Sequence, residues 1–148
     1  MFDKKIYEKL AQYCAEKERC ATDVMQKLRK LKAGANDFDE YLAKLRGQSF
    51  LNEERYIKAF VEAHNRKKWG KRKIESALAI KGVKGPLVKK YTGQIDEEDY
   101  VAQLKNLADK KYKSLTKGTP QEKRIKVMRF LLGKGFEMDK IRKVLTGE

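Results

Sequence analysis

Few side chains in this sequence could make or break bonds. The only histidine, His64, sits in the charged stretch Glu62-Ala63-His64-Asn65-Arg66-Lys67-Lys68 without a partner motif. A solvated helix residue explains it better than a general base does. Cys14 and Cys20 stand six apart on what reads as a helix and its exit. That spacing suggests neither a disulfide framework nor a zinc site, so packing or surface thiols are expected. The acidic run Asp96-Glu97-Glu98-Asp99 resembles a ligand set at first sight. Consecutive helical positions do not face one point, however, and an acidic helix start is the better reading. No HExxH, GxSxG or P-loop pattern occurs. No catalytic residue, metal or cofactor is therefore expected, and the enzyme class lacks support.

The chemistry that remains is charge. Thirty-six Lys and Arg oppose 21 Asp and Glu, a formal charge of +15. The excess concentrates in residues 50–95, where 12 cations face 4 anions. Arg66, Lys67, Lys68, Lys71, Arg72 and Lys73 cluster around Trp69-Gly70. Cations packed this tightly repel one another without a partner, which points to contact with a polyanion. Lys123, Lys126 and Arg129 form a second set at three-residue spacing, roughly opposite the apolar face of their segment. For this set, simple solvation of an exposed face is an equal alternative. Trp69 has three readings: stacking on a base, anchoring an interface, or packing at a seam.

These cations must be held by helices, because nothing in the chain alternates like a strand. Thr119 to Leu145 carries a complete helix–turn–helix signature: Thr119 as N-cap, Pro120 at the first position, and Glu122 where a capping-box acid belongs. Val127, Phe130 and Leu131 share a face. Gly135 is the left-handed stop, with Leu131 and Phe136 at the two positions whose apolar contact accompanies a Schellman turn. Trp69 to Thr92 repeats this pattern, with Ile74, Leu78 and Gly82-Val83 matching Val127, Leu131 and Gly135-Phe136. Val24, Leu28, Phe38 and Tyr41 make a weaker third copy, its turn blurred at Lys-Ala-Gly-Ala-Asn (32–36) and its break placed at Gly34-Ala35-Asn36. The first helix of each copy places Ile6, Leu10, Tyr13 and Cys14, then Tyr56, Phe60 and Ala63, then Tyr100, Leu104 and Leu107, on its inner side.

The expected fold is all-α: three tandem three-helix, helix-turn-helix-like repeats in an elongated, curved arrangement, divided as 1–49, 50–95 and 96–148. No apolar run exceeds the four residues Ala77 to Ile80, so no membrane span is expected. Met1 to Leu10 lacks the apolar core of a signal peptide, and a cytoplasmic monomer is the simplest expectation.

The junction Phe50-Leu51-Asn52-Glu53-Glu54-Arg55-Tyr56, the segment Gly70 to Val83 and the run Lys123 to Leu145 together resemble the RecX family of recombinase regulators. The similarity covers nearly the whole chain. It implies a small bacterial cytoplasmic protein that lies along the groove of a RecA-type recombinase filament. Such a protein curbs ATP hydrolysis and strand exchange and has no enzymatic activity of its own. The positive surface would meet either acidic patches of the recombinase or DNA, single- or double-stranded, as a second partner. By position the family's acidic junction falls on Asn52 to Tyr56, its basic second-helix start on Gly70, Lys71, Arg72 and Ile74, and its Gly-Phe motif on Gly135 and Phe136. Asn52-Glu53 stands where two aspartates are usual, and Cys20 where a capping serine is common. A general nucleic-acid binder acting without a recombinase is the alternative that the charge alone would suit.

Overall fold

The computed structural model describes residues 2–147, all helix and connecting turn. The helices are α1 (Lys4–Glu16), α2 (Ala21–Lys30), α3 (Phe38–Gly47), α4 (Glu53–Arg66), α5 (Lys71–Ile80), α6 (Pro86–Gly93), α7 (Glu97–Ser114), α8 (Pro120–Gly133) and α9 (Met138–Thr146). A short 3-10 turn, Ala35–Asp37, leads into α3. Each consecutive triplet closes on its own apolar cluster. Leu10, Val24, Leu28 and Tyr41 centre the first, Ile57, Ile74 and Leu78 the second, and Leu104, Val127, Leu131 and Phe136 the third. The closest helix pairings all lie within triplets. A compact globule of 17.2 kDa exposes about 7,800 Å². This chain exposes 9637 Å², as three small cores in a row must.

The second helices end alike. Phe136 N–H donates to Leu131 O and Gly135 N–H to Leu132 O, with Gly135 at φ 94°. Val83 and Gly82 make the same pair of bonds to Leu78 and Ala79. The first copy does so too, contrary to the blurred reading of its turn. Ala33 N–H reaches Leu28 O and Lys32 N–H reaches Arg29 O, with Lys32 itself left-handed at φ 61°. Helix α2 thus stops before Gly34, at a lysine that accepts the strain a glycine would avoid. Other boundaries match the sequence signals: Asn52 Oδ1 accepts Arg55 N–H, Asp96 Oδ2 accepts Asp99 N–H, and Thr119 Oγ1 accepts Glu122 N–H. The inner faces of the first helices differ in detail. Tyr7 rather than Tyr13 is buried in α1, and Ile57 and Val61 rather than Phe60 and Ala63 in α4.

The triplets join by a repeated device. A helix N-terminus leaves amides without intrahelical acceptors, and the second helix of one triplet rests these on the stop turn of the next. At the α5 start, Gly70 N–H donates to Lys134 O (2.7 Å) and Arg72 N–H to Gly135 O (2.9 Å). Lys71 N–H donates to the Tyr100 hydroxyl (2.9 Å), which in turn donates to Glu137. At the α2 start the acceptor is the matching carbonyl, Lys81 O, but the donor is the Thr22 hydroxyl (2.8 Å). Asp23 there pairs with Lys81 Nζ at 2.7 Å, and Arg55 pairs with Glu18 at 3.1 Å.

The α5 seam has no spare volume. A Cβ on Gly70 would lie 2.2 Å from the Gly135 carbonyl carbon, and one on Gly135 would lie 2.3 Å from Lys73 Cβ. Gly70→Ala is expected to cost about 1–3 kcal/mol by overpacking and to split urea unfolding into two transitions as the last triplet uncouples. The α2 seam is ionic. Burial raises the Asp23 carboxyl, but the Lys81 ammonium and the Cys20 amide outweigh it and hold it below the usual range. A depressed carboxylate contributes stability above its unfolded pKa and loses it as pH falls through the folded value. Asp23→Asn should therefore lower stability by about 1–2 kcal/mol at neutral pH. The difference from wild type should shrink below about pH 4, as read by denaturation at stepped pH.

Candidate functional site

Helix α4 ends in another Schellman stop, with Trp69 N–H bonded to His64 O, Lys68 N–H bonded to Asn65 O, and Lys68 left-handed at φ 67°. This elbow turns the chain from α4 into α5 and sorts the clustered cations. Arg66, Lys67, Lys68 and Arg72 stand exposed, and among the described residues none of the four makes an ion pair. Lys71 and Lys73 are drawn inward. Lys71 Nζ lies 4.7 Å over the Tyr100 ring and 3.7 Å from Glu97, its side chain only 15% exposed. Lys73 Nζ caps the Trp69 ring at 4.2 Å. The six thus divide into four that face solvent and two that also serve the fold.

Trp69 packs against the second core, and His64 is not a solvated residue. Its ring stacks on Phe60 at 3.9 Å and tilts against Trp69 at 4.4 Å, with Nδ1 2.8 Å from Phe60 O. The result is a half-buried aromatic ladder, not a base aimed at a cleft. Burial pushes both cysteine thiols up and away from nucleophilic behaviour. Asp96 caps α7, while Glu97 binds Lys71 and Lys140, whose ammonium groups pull its carboxyl down. Among the described residues no three His, Cys, Asp or Glu side chains converge as metal ligands. The groove at the α5 seam, about 600 Å³, is lined by Lys71, Arg72, Glu75, Lys89 and Glu137 among others. Glu75 is already paired with Lys89 and Glu137 with Lys140, so it offers no poised acid or base.

The second cation set is not one stripe. Three-residue spacing retreats by about 60° per step on an α-helix, so Lys123, Lys126 and Arg129 fan across about 120° of α8. Lys126 and Arg129 are exposed, whereas Lys123 is half-buried with Nζ 5.6 Å over Tyr112. A tyrosine recurs at one position of each first helix, and its spacing from the N-cap is legible in the sequence. Tyr7, Tyr56 and Tyr100 each stand four residues after an N-cap: Asp3, Asn52 and Asp96. Tyr100 accepts from Lys71 N–H of the upstream triplet, Tyr56 shares its apolar cluster with the upstream Cys20, and burial raises both hydroxyls far above the ordinary phenol range.

Three-helix units joined end to end, with exposed cations at the middle elbow, define an all-helical repeat protein. The second three-helix domain of RecX matches residues 52–90, and the third matches residues 97–145. The regulatory protein RecX of Salmonella newport (strain SL254) is 30% identical over 112 residues, 76% of this chain and 66% of the relative's length. That of Salmonella typhimurium (strain LT2) gives the same figures. Among solved structures, RecX from Lactobacillus salivarius superposes with a TM-score of 0.84 at 24% identity, covering 97% of this chain and 94% of that one. Another regulatory protein RecX reaches 0.87 at 23% identity, covering 97% and 71%. The chain belongs to the RecX family of regulatory proteins, and its all-helical fold is the family's.

Two variants separate surface from scaffold. Reversing Arg66, Lys67 and Lys68 to Glu should leave the melting temperature unchanged, since those side chains are exposed and make no ion pair among the described residues. Lys71→Ala removes a cation–π contact and an ion pair and should cost about 1 kcal/mol, measured by chemical denaturation.

Proposed function

We propose that this chain binds the filament of a RecA-type recombinase and restrains its ATP hydrolysis and DNA strand exchange, acting by contact alone and without catalysis. The observation that carries this reading is the linear series of three small cores with unpaired cations set outside its middle elbow, in a chain of the RecX family. Units divided at 49/50 and 95/96 would present related faces to successive subunits of a helical polymer. Several weak contacts would then add through effective concentration rather than through one strong site. Arg66, Lys67, Lys68 and Arg72 are the leading contact residues, with Lys126 and Arg129 beside them. Lys71, Lys73 and Lys123 act through the fold as much as through contact. The chain works as a cytoplasmic monomer in recombination and DNA repair.

The same exposed cations suit a second reading, a nucleic-acid binder that needs no recombinase. Salt titration separates the two. Binding to naked single strands should weaken with a log–log slope of about −0.7 per phosphate contacted, and the filament reading requires tighter binding to a preformed filament at equal salt. Added at filament stoichiometry, the purified chain should depress recombinase ATPase and strand exchange, and the Arg66, Lys67 and Lys68 reversal should blunt that effect. Unchanged rates at full occupancy would remove the proposal.

A further inference from the structure

Helix α8 is apolar on two sides. Val127 and Leu131 fill the third core, yet Ile125 and Leu132 lie on the opposite flank, 42% and 37% exposed, with half-buried Met128 between them. Spacings of three and four place these three on one stripe, and Arg124 and Arg129, both exposed, border it one turn from Met128 and Ile125. Met128 also packs partly against the third core, while Ile125 and Leu132 keep their exposure on this flank.

The repeat gives the stripe its meaning. Matching Val127 with Ile74 and Val24 sets Ile125 level with Arg72 and Thr22. Those two are the residues through which α5 and α2 dock on the next triplet, at Gly135 O and Lys81 O. Ile125 therefore marks the outward seam of the last triplet, but the donors of that seam are consumed. Helix α8 begins at Pro120, a turn earlier than the match to α5 requires, so the amides of Arg124 and Ile125 lie inside a helix and cannot cap another triplet's turn. The apolar Ile125 stands where a docking donor, the Arg72 amide or the Thr22 hydroxyl, stands elsewhere. A second copy of the chain meets both this lack of donors and the repulsion between two molecules of formal charge +15. Phosphates gain little from isoleucine and leucine.

Building on the proposed function, we infer that the Ile125–Met128–Leu132 stripe is the protein-contacting surface of the chain. Its occupant is an acidic segment of the recombinase that lays apolar side chains on the stripe and carboxylates against Arg124 and Arg129. The exposed cations of the α4–α5 elbow are left to meet phosphate or other negative charge. Apolar anchors ringed by charge are the usual energetic centre of such contacts.

The test compares wild type with Ile125→Ser/Leu132→Ser for binding to a recombinase filament on single-stranded DNA and to the naked strand. The variant should keep its helical circular dichroism, its melting temperature and its naked-strand affinity, while filament affinity falls about tenfold or more. Unchanged filament affinity would overturn the inference alone, as would a parallel loss on naked DNA or a wild-type dimer that the variant dissolves. A wild-type chain that ignores the filament would remove the proposed function and this surface with it. Should the serine variant lose helix, Arg124→Glu/Arg129→Glu decides instead. Selective loss of filament binding supports the surface, and unchanged filament binding overturns it.

Discussion

The architecture depends on how one triplet's helix start is satisfied by the next triplet's turn. Gly70 and Gly135 meet backbone to backbone, at a distance no side chain could enter, so that amides without intrahelical acceptors find carbonyls across the seam. Buried backbone groups must be paired, and here the pairing joins two cores that also share Ile95. Tyr100 locks the arrangement by accepting from Lys71 N–H and donating to Glu137. The α2 seam uses the same acceptor position but replaces backbone donors with the Thr22 hydroxyl and the Asp23–Lys81 pair. One joint is thus set chiefly by shape, with Lys71 paired to Glu97 across it, and the other chiefly by charge.

The same seam decides what the cations can do. Six basic side chains in eight residues look equivalent in a linear chain, but the docking of α5 pulls Lys71 and Lys73 onto Tyr100 and Trp69. Their charges are already balanced, or spread over aromatic faces. Arg66, Lys67, Lys68 and Arg72 keep theirs for solvent or a partner. On α8, the drift of three-residue spacing scatters a row of lysines and an arginine that looked collinear, while the real longitudinal stripe on that helix is apolar.

Much of the fold could be read directly. Glycine in the left-handed position announced the stops after α5 and α8, and Asn52, Asp96 and Thr119 announced their helices through short side chains that reach an amide three residues on. The stop after α2 was hidden because Lys32 adopts the left-handed conformation that sequence signals assign to glycine. Ser49 and Lys68 do the same elsewhere, held by the bonds of Phe50 to Leu45 and Trp69 to His64. The charged neighbourhood of His64 suggests solvation because it says nothing about a tryptophan five residues later folding back onto the ring.

Local signals determined the helices, their order, their threefold recurrence and the concentration of positive charge in the middle, since capping and helical periodicity act over three to five residues. Only the tertiary structure decided which cations face outward, which tyrosines bridge the triplets, and that the flank of α8 carrying Ile125 and Leu132 stays uncovered. Those outcomes depend on the approach of segments thirty to sixty residues apart, and the spacing of residues along a chain carries no measure of that distance.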